Sequence, residues 1–247
     1  MLQIAVINES TVFSADALNS MIPAFSAQWN NELNAVWGVG QAQFASLDPA
    51  TSTPPAGSWW VVFLDDSDQA SALAYHDLTD EGLPISKVFV KTILADNGSV
   101  SVGATHEICE MAVDPWLNSA YQDLQGTFWA GEVCDPVEDP QYGYEIGGVL
   151  VTDFVTPNWF GHRNAMGDID YRKQAHAPFE VLTGGYAQKW DPQQGWQQIT
   201  GARAQKAKRA KAQVGSRRER RARRWKGWQP SRRFRTRDAG GATRGRS

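Results

Sequence analysis

The sequence predicts an α+β protein: a twisted sheet with an N-terminal helix and a second helix carrying a His-Glu-x-x-Glu pattern, then a β-rich lower lobe and a basic tail. Three observations carry this reading. Residues 2 to 8, Leu-Gln-Ile-Ala-Val-Ile-Asn, form an aliphatic run closed by Asn8-Glu9-Ser10, the pattern of a buried strand. From about Ser14, Leu18, Ile22, Phe25, Trp29, Leu33 and Val36 recur every three or four residues, which places them on one helix face, with Pro23 bending its early part. From Gly201 on, the composition changes abruptly to Arg, Lys, Gln, Ala and Gly.

The middle of the chain supplies the rest of the sheet. Ala42 to Leu47 and Trp59 to Leu64 read as strands separated by a turn-rich stretch with Pro49, Pro54, Pro55 and Gly57, and Ala72 to Tyr75 and Lys87 to Leu94 as further extended segments. Asp96-Asn97-Gly98 marks a turn, after which a helix runs from about Val100 to Val113 and stops at Asp114-Pro115. Beyond Pro115, Phe128 to Val133, Gly148 to Val155, Phe179 to Leu182 and Tyr186 to Trp190 are strand-like pieces between Gly and Pro turns. The expected division is residues 1–114, an N-terminal subdomain with the motif helix; 115–200, a β-rich lobe completing the site; and 201–247, an extended basic tail.

Composition narrows the function classes. The 247 residues and their 11 Trp suffice for a substantial core, and no run approaches the roughly eighteen apolar residues of a membrane-spanning helix. The first residues lack the basic start and long apolar stretch of a signal peptide, so the expected location is the cytoplasm or a virion, with no membrane partner. Two cysteines, Cys109 and Cys134, exclude a disulfide scaffold and leave one bridge open. The net charge of −3 conceals a division: 18 of the 24 Lys and Arg lie from Gly201 on beside two acids, Glu219 and Asp238. An acidic body with so basic a tail points to a nucleic acid, an acidic protein surface, or the body itself as the partner of residues 203–237. Trp225 and Trp228 flank the Arg217 to Arg224 cluster, a mixture suited to phosphate contacts with base stacking.

The chemistry concentrates at Thr105-His-Glu-Ile-Cys-Glu110. On a helix, positions i and i+4 share a face, so His106 and Glu110 can address one ion while Glu107 projects toward the water bound to it. Zinc accepts carboxylate oxygen as well as imidazole nitrogen, and the extra negative charge makes it a weaker Lewis acid than a second imidazole would. A third ligand must come from elsewhere. Asp135 leads and Glu132 follows, because Glu132-Val-Cys-Asp135 stands shortly downstream; Cys134 is the third choice, and strand periodicity does not choose among them. Asp114 reads as a helix-end residue and Asp153 as a structural carboxylate. His76, His162 and His176 read as surface or loop histidines, His162 lying in the loop Trp159 to Gly167 where a transition-state donor could sit, with Met166 beside it.

The segments 105–115, 131–138, 151–160 and 177–186 together resemble a family of phage and bacterial HExxE zincin-like metallopeptidases. The resemblance implies a zincin-like twisted sheet whose edge strand receives peptide, a Zn2+ cofactor, and metal-assisted hydrolysis of a peptide or protein with Glu107 as general base. It departs from the named subfamilies: Trp116 stands where the metzincin third ligand would be, and the gluzincin and aspzincin segments are missing. A phage relationship also admits another class, a virion structural or adaptor protein whose basic tail contacts DNA or an acidic neighbouring subunit. A third class is a plain nucleic-acid-binding protein whose body is a scaffold.

Overall fold

The computed structural model describes residues 1–69, 72–161 and 167–201. The chain opens with strand β1 (Leu2–Asn8), followed by α1 (Ala15–Ala27), a π-helical turn (Gln28–Leu33) and α2 (Asn34–Trp37). β2 (Ala42–Leu47), β3 (Trp59–Leu64), β4 (Ala74–Leu78) and β5 (Pro84–Phe89) come next, then α3 (Val90–Ala95) and α4 (Val100–Val113). The expected zincin-like sheet with an N-terminal helix is therefore corrected. The terminus is a strand, and the fold is α+β with mixed sheets.

The physical reason lies in the first aliphatic run. The five-stranded sheet has the order β2-β1-β3-β5-β4, with β1, β2, β3 and β5 parallel and β4 antiparallel at the edge. β1 is an interior strand, so both of its faces must be apolar. Ile4 and Val6 enter the main core beneath the helices, while Ala5 and Ile7 join a second cluster on the opposite face with Trp60, Val62, Ile85 and Phe89. The same alternation makes β3, Trp-Trp-Val-Val-Phe-Leu, apolar throughout.

The first helix begins where expected: Ser14 caps α1 by accepting from the Ala17 N–H at 3.1 Å. Leu18, Phe25, Trp29 and Leu33 are buried along its inner face, and the π turn carries the face onward from Gln28. Gln28 itself is buried. Its amide donates to the Thr152 carbonyl at 2.7 Å, tying this helix to the second half of the chain.

Residues 90–94, expected to be extended, are helical instead. Their β-branched side chains imitate a strand, but Val90 and Ile93, three apart, share the buried face of α3. The helix ends with Asn97 left-handed at φ +56°, the Gly98 N–H on the Ile93 carbonyl and the Asn97 N–H on the Leu94 carbonyl. The Asp96-Asn97-Gly98 turn is thus a helix C-cap of the Schellman kind.

After α4 the chain forms β6 (Ala120–Gln122), β7 (Phe128–Ala130), the β8 (Tyr144–Ile146) and β9 (Val149–Val151) hairpin, and β10 (Tyr186–Asp191) paired with β11 (Gly195–Thr200). β11, β10, β7 and β6 make an antiparallel four-stranded sheet. The 179–182 segment expected as a strand is irregular, and β6, β8 and β11 are strands that the sequence reading omits. Trp129, Val133, Phe154 and Trp159 belong to the same core cluster as Phe25, Trp29 and Val61, so both halves bury apolar surface together. The basic tail, His162 and Met166 lie outside the described residues.

α4 is the most enclosed helix, with Val100, Ala104, Ile108, Met111 and Ala112 in the core. Ile108 is 1 % exposed. Ile108→Ala is expected to cost about 2–5 kcal/mol of stability through lost burial and a residual cavity, read as a lower midpoint in urea unfolding.

Candidate metal centre

The site is built from four places: α4, the edge strand β4, the turn after β7, and the start of β10. α4 is seated on the sheet by the Ser86 hydroxyl of β5, which donates to the Glu107 carbonyl at 3.2 Å. On its other side Thr105 Oγ1 accepts from the Thr152 N–H at 2.9 Å and donates to the Ser101 carbonyl. These contacts set the helix's rotation, and with it the direction of His106, Glu107 and Glu110, all of them buried.

The downstream acid arrives on a short 3₁₀ turn, Asp135–Val137. The Val155 N–H donates to the Val133 carbonyl at 2.7 Å and the Leu182 N–H to the Pro136 carbonyl at 2.9 Å. Glu110 Oε1 accepts from the backbone N–H groups of Cys134 and Asp135 at 3.2 and 3.3 Å, so the motif helix itself holds the turn. Gly185 is required beside it: a Cβ there would stand 2.4 Å from the Pro136 carbonyl oxygen.

This framework brings the sequence-predicted residues together. His106 Nε2 lies 3.3 Å from Glu110 Oε1 and 3.3 Å from Asp135 Oδ1. Asp135 Oδ1 is buried and, despite that distance, makes no hydrogen bond among the described residues. Glu132 is buried as well, with Oε2 facing an imidazole that the sequence reading placed at the surface: His76, 1 % exposed on β4, with Nε2 3.9 Å away. His76 Nδ1 contacts Glu107 Oε2 at 3.2 Å and Glu110 Oε2 at 3.7 Å. The donor atoms of His106, Glu107 and Glu110, and those of His76, Glu110 and Glu132, lie within 4.8 Å of one another in each group, close enough to hold a metal ion.

Electrostatics mark the cluster as short of positive charge. Burial disfavours imidazolium at His106, yet Glu110, Asp135 and Glu107 outweigh it and hold its pKa well above the usual histidine range. Burial, reinforced by Glu132 and Glu107 and opposed by His106, pushes Glu110 up to about 7. Burial and then Glu110 raise Asp135 well above the ordinary carboxylate range. Tyr186, at the start of β10, is a further site residue that the sequence reading passed over: burial and then the nearby charge of Asp135 push its hydroxyl well above the usual tyrosine range. Without a cation, such a group of acids can stay buried only by holding protons.

Other candidates fall away from the cluster. Cys109 and Cys134 are both free and buried, and burial followed by Cys109 drives the Cys134 thiol well above its usual pKa, which disfavours the thiolate a metal needs. Asp114 accepts from the N–H groups of Asn118 and Ser119 at 2.8 and 2.9 Å, a cap for the chain leaving α4. Asp153 accepts from the Phe154 and Arg172 N–H groups and sits beside Asp170. Among the described residues no helix is long and apolar enough to cross a membrane. Compared with known protein families, curated proteins and solved structures, the chain gives no match.

Two measurements check this description. Burial and then Asp170 push Asp153 up to about 9 from 3.8, so its contribution to stability is complete below about pH 4 and is lost as pH rises through 9. Asp153→Asn keeps the acceptor for both N–H groups and removes the titration, so thermal melts of the variant should depend less on pH between 5 and 9 than those of the parent. Gly185→Ala should displace the Asp135 turn and weaken the affinity of the cluster for a divalent metal ion by about tenfold or more in a competition titration, with secondary structure retained by circular dichroism.

Proposed function

We propose that this protein is a zinc-dependent hydrolase of the HExxE metallopeptidase kind, with His106, Glu110 and Asp135 as the protein ligands and Glu107 as the general base. The observation that carries the reading is the pair of 3.3 Å separations from His106 Nε2 to the two carboxylate oxygens. Two donors each about 2.0–2.2 Å from a tetrahedral zinc are themselves about 3.3–3.6 Å apart. The buried Asp135 Oδ1 without a hydrogen bond adds to the fit.

Bound zinc would supply an acidified water and a Lewis acid for the scissile carbonyl. The chain's own residues do the rest. Glu107 Oε2, held at 3.2 Å by the His76 ring, takes a proton from the attacking water and returns it to the leaving amine. The backbone N–H groups of Cys134 and Asp135 keep Glu110 Oε1 in place, so the ligand set is oriented before substrate arrives. Among the described residues β4 pairs only with β5 and is the edge of the sheet, and an extended peptide added along it would pass His76 and the face of α4.

The charge division supports a second reading, in which the body is a virion structural or adaptor protein with a structural metal and residues 203–237 contact DNA or an acidic subunit. Chelator-sensitive proteolysis separates the two. In the first, Glu107→Gln retains a full complement of zinc and lowers peptide turnover by about 10²-fold or more, whereas His106→Ala loses zinc. A Glu107→Gln protein that cleaves at the parental rate removes Glu107 from this role, and an unchanged zinc content in His106→Ala removes the metal site.

A further inference from the structure

The mononuclear reading gives His76 Nδ1 a task and leaves its other ring nitrogen without one. His76 occupies the middle of the edge strand, is 1 % exposed, and its Nε2 has no hydrogen-bond partner among the described residues. A histidine placed only to orient Glu107 needs Nδ1 alone. Here Nδ1 meets Glu107 Oε2 at 3.2 Å, a contact that an Nδ1–H serves and that leaves Nε2 of the neutral ring with a lone pair for a metal ion. That lone pair faces another electron-rich atom, Glu132 Oε2 at 3.9 Å, too far for a hydrogen bond.

Glu110 shows the complementary half of the arrangement. Its two oxygens address different imidazoles, Oε1 facing His106 Nε2 at 3.3 Å and Oε2 facing His76 Nδ1 at 3.7 Å. The two groups of donors, His106 with Glu107 and Glu110, and His76 with Glu110 and Glu132, share only that carboxylate.

Resting on the reading of His106, Glu110 and Asp135 as a metal site, we propose that the centre takes two divalent cations bridged by the Glu110 carboxylate, the second held by His76 Nε2, Glu132 and Glu110 Oε2. The spacing suits it: His76 Nε2 and Glu132 Oε2, at 3.9 Å, fall within the span of about 3 to 4.2 Å open to two donors on one ion at about 2.1 Å, and one donor atom from each of His76, Glu110 and Glu132 lies within 4.8 Å of the others. Charge balance points the same way. Glu107, Glu110, Glu132 and Asp135 carry four formal negative charges when ionised, of which a single divalent ion cancels half and two ions cancel all. The Nδ1–H of His76 resting on Glu107 is the carboxylate–histidine pairing that commonly fixes the ring of a metal ligand. Two ions about 3.5–4 Å apart, joined by a carboxylate, form a clamp able to hold both the attacking and the leaving oxygen or nitrogen of a hydrolysed bond. A mixed imidazole and carboxylate donor set selects Zn2+ or Mn2+ over softer ions.

The test is stoichiometry, taken on the full chain after chelator stripping and dialysis against Zn2+ in excess. The parent should retain two zinc per chain, and His76→Gln and Glu132→Gln one each. Loading with Mn2+ should give the electron paramagnetic resonance spectrum of an exchange-coupled pair in the parent and of an isolated ion in His76→Gln. One zinc per chain in the parent, lost in His106→Ala, overturns the second site while the mononuclear reading stands. Failure to retain any zinc overturns both. Two zinc with an isolated-ion manganese spectrum overturns the Glu110 bridge, and two zinc in both His76→Gln and Glu132→Gln overturns the ligand assignment.

Discussion

Everything at the centre of this molecule depends on one carboxylate, Glu110, accepting the backbone N–H groups of Cys134 and Asp135. Hydrogen bonds from uncharged donors to a buried carboxylate contribute about 1.5–3 kcal/mol each, and their geometry couples a helix to a loop separated from it by more than twenty residues. Because α4 is itself pinned to β5 through Ser86 and to Thr152 through Thr105, the position of the loop is inherited from the sheet. The order of dependence runs from the aliphatic interior strands to the helix on them, from the helix to Glu110, and from Glu110 to the acid that follows.

The cost of this arrangement is borne by the hydrophobic body. Several buried acids and two buried imidazoles are unfavourable for folding, and each must be offset by apolar burial elsewhere. The aromatic content answers that need: Trp29, Trp159, Phe25, Phe63, Phe89, Phe154 and Phe160 are all essentially inaccessible, and rings such as Trp129 and Phe179 stack at 4.7 Å. The other face of the sheet carries a burden of its own, Lys87, whose ammonium donates to Asp68 and Tyr75 at 2.8 Å each while burial pushes its pKa down to about 8.

Legibility of the sequence followed locality. β2 and β3 and the span of α4 could be read in place because each is signalled by its own residues: an apolar run, the Asp96-Asn97-Gly98 turn, an Asp114-Pro115 stop. His106, Glu107 and Glu110 were legible because helix periodicity alone puts them together, and Asp135 because it lay close downstream. His76 was not, since one histidine in a strand has no periodic signature and acquires its neighbours only through pairing with β5. The extended segment read at 72–75 stops one residue short of it. The strand reading of 90–94 failed for the opposite reason, strong β-branched propensity overridden by a helix that buries two of the five side chains.

The antiparallel pairing of β4 has a consequence for how such a centre can change over time. His76 is opposite Ser86, and its neighbours Tyr75 and Asp77 are opposite Lys87 and Ile85. Side chains alternate between faces, so a slip of one residue along β5 would present a phenol or a carboxylate where the imidazole now stands. The short connection from Thr79 to Leu83, closed by the Thr79 N–H on the Leu83 carbonyl at 2.8 Å, is what holds that frame. A single inserted or deleted codon in this hairpin, far from the motif helix in sequence, can thus exchange the chemical identity of the centre without touching any residue that forms it.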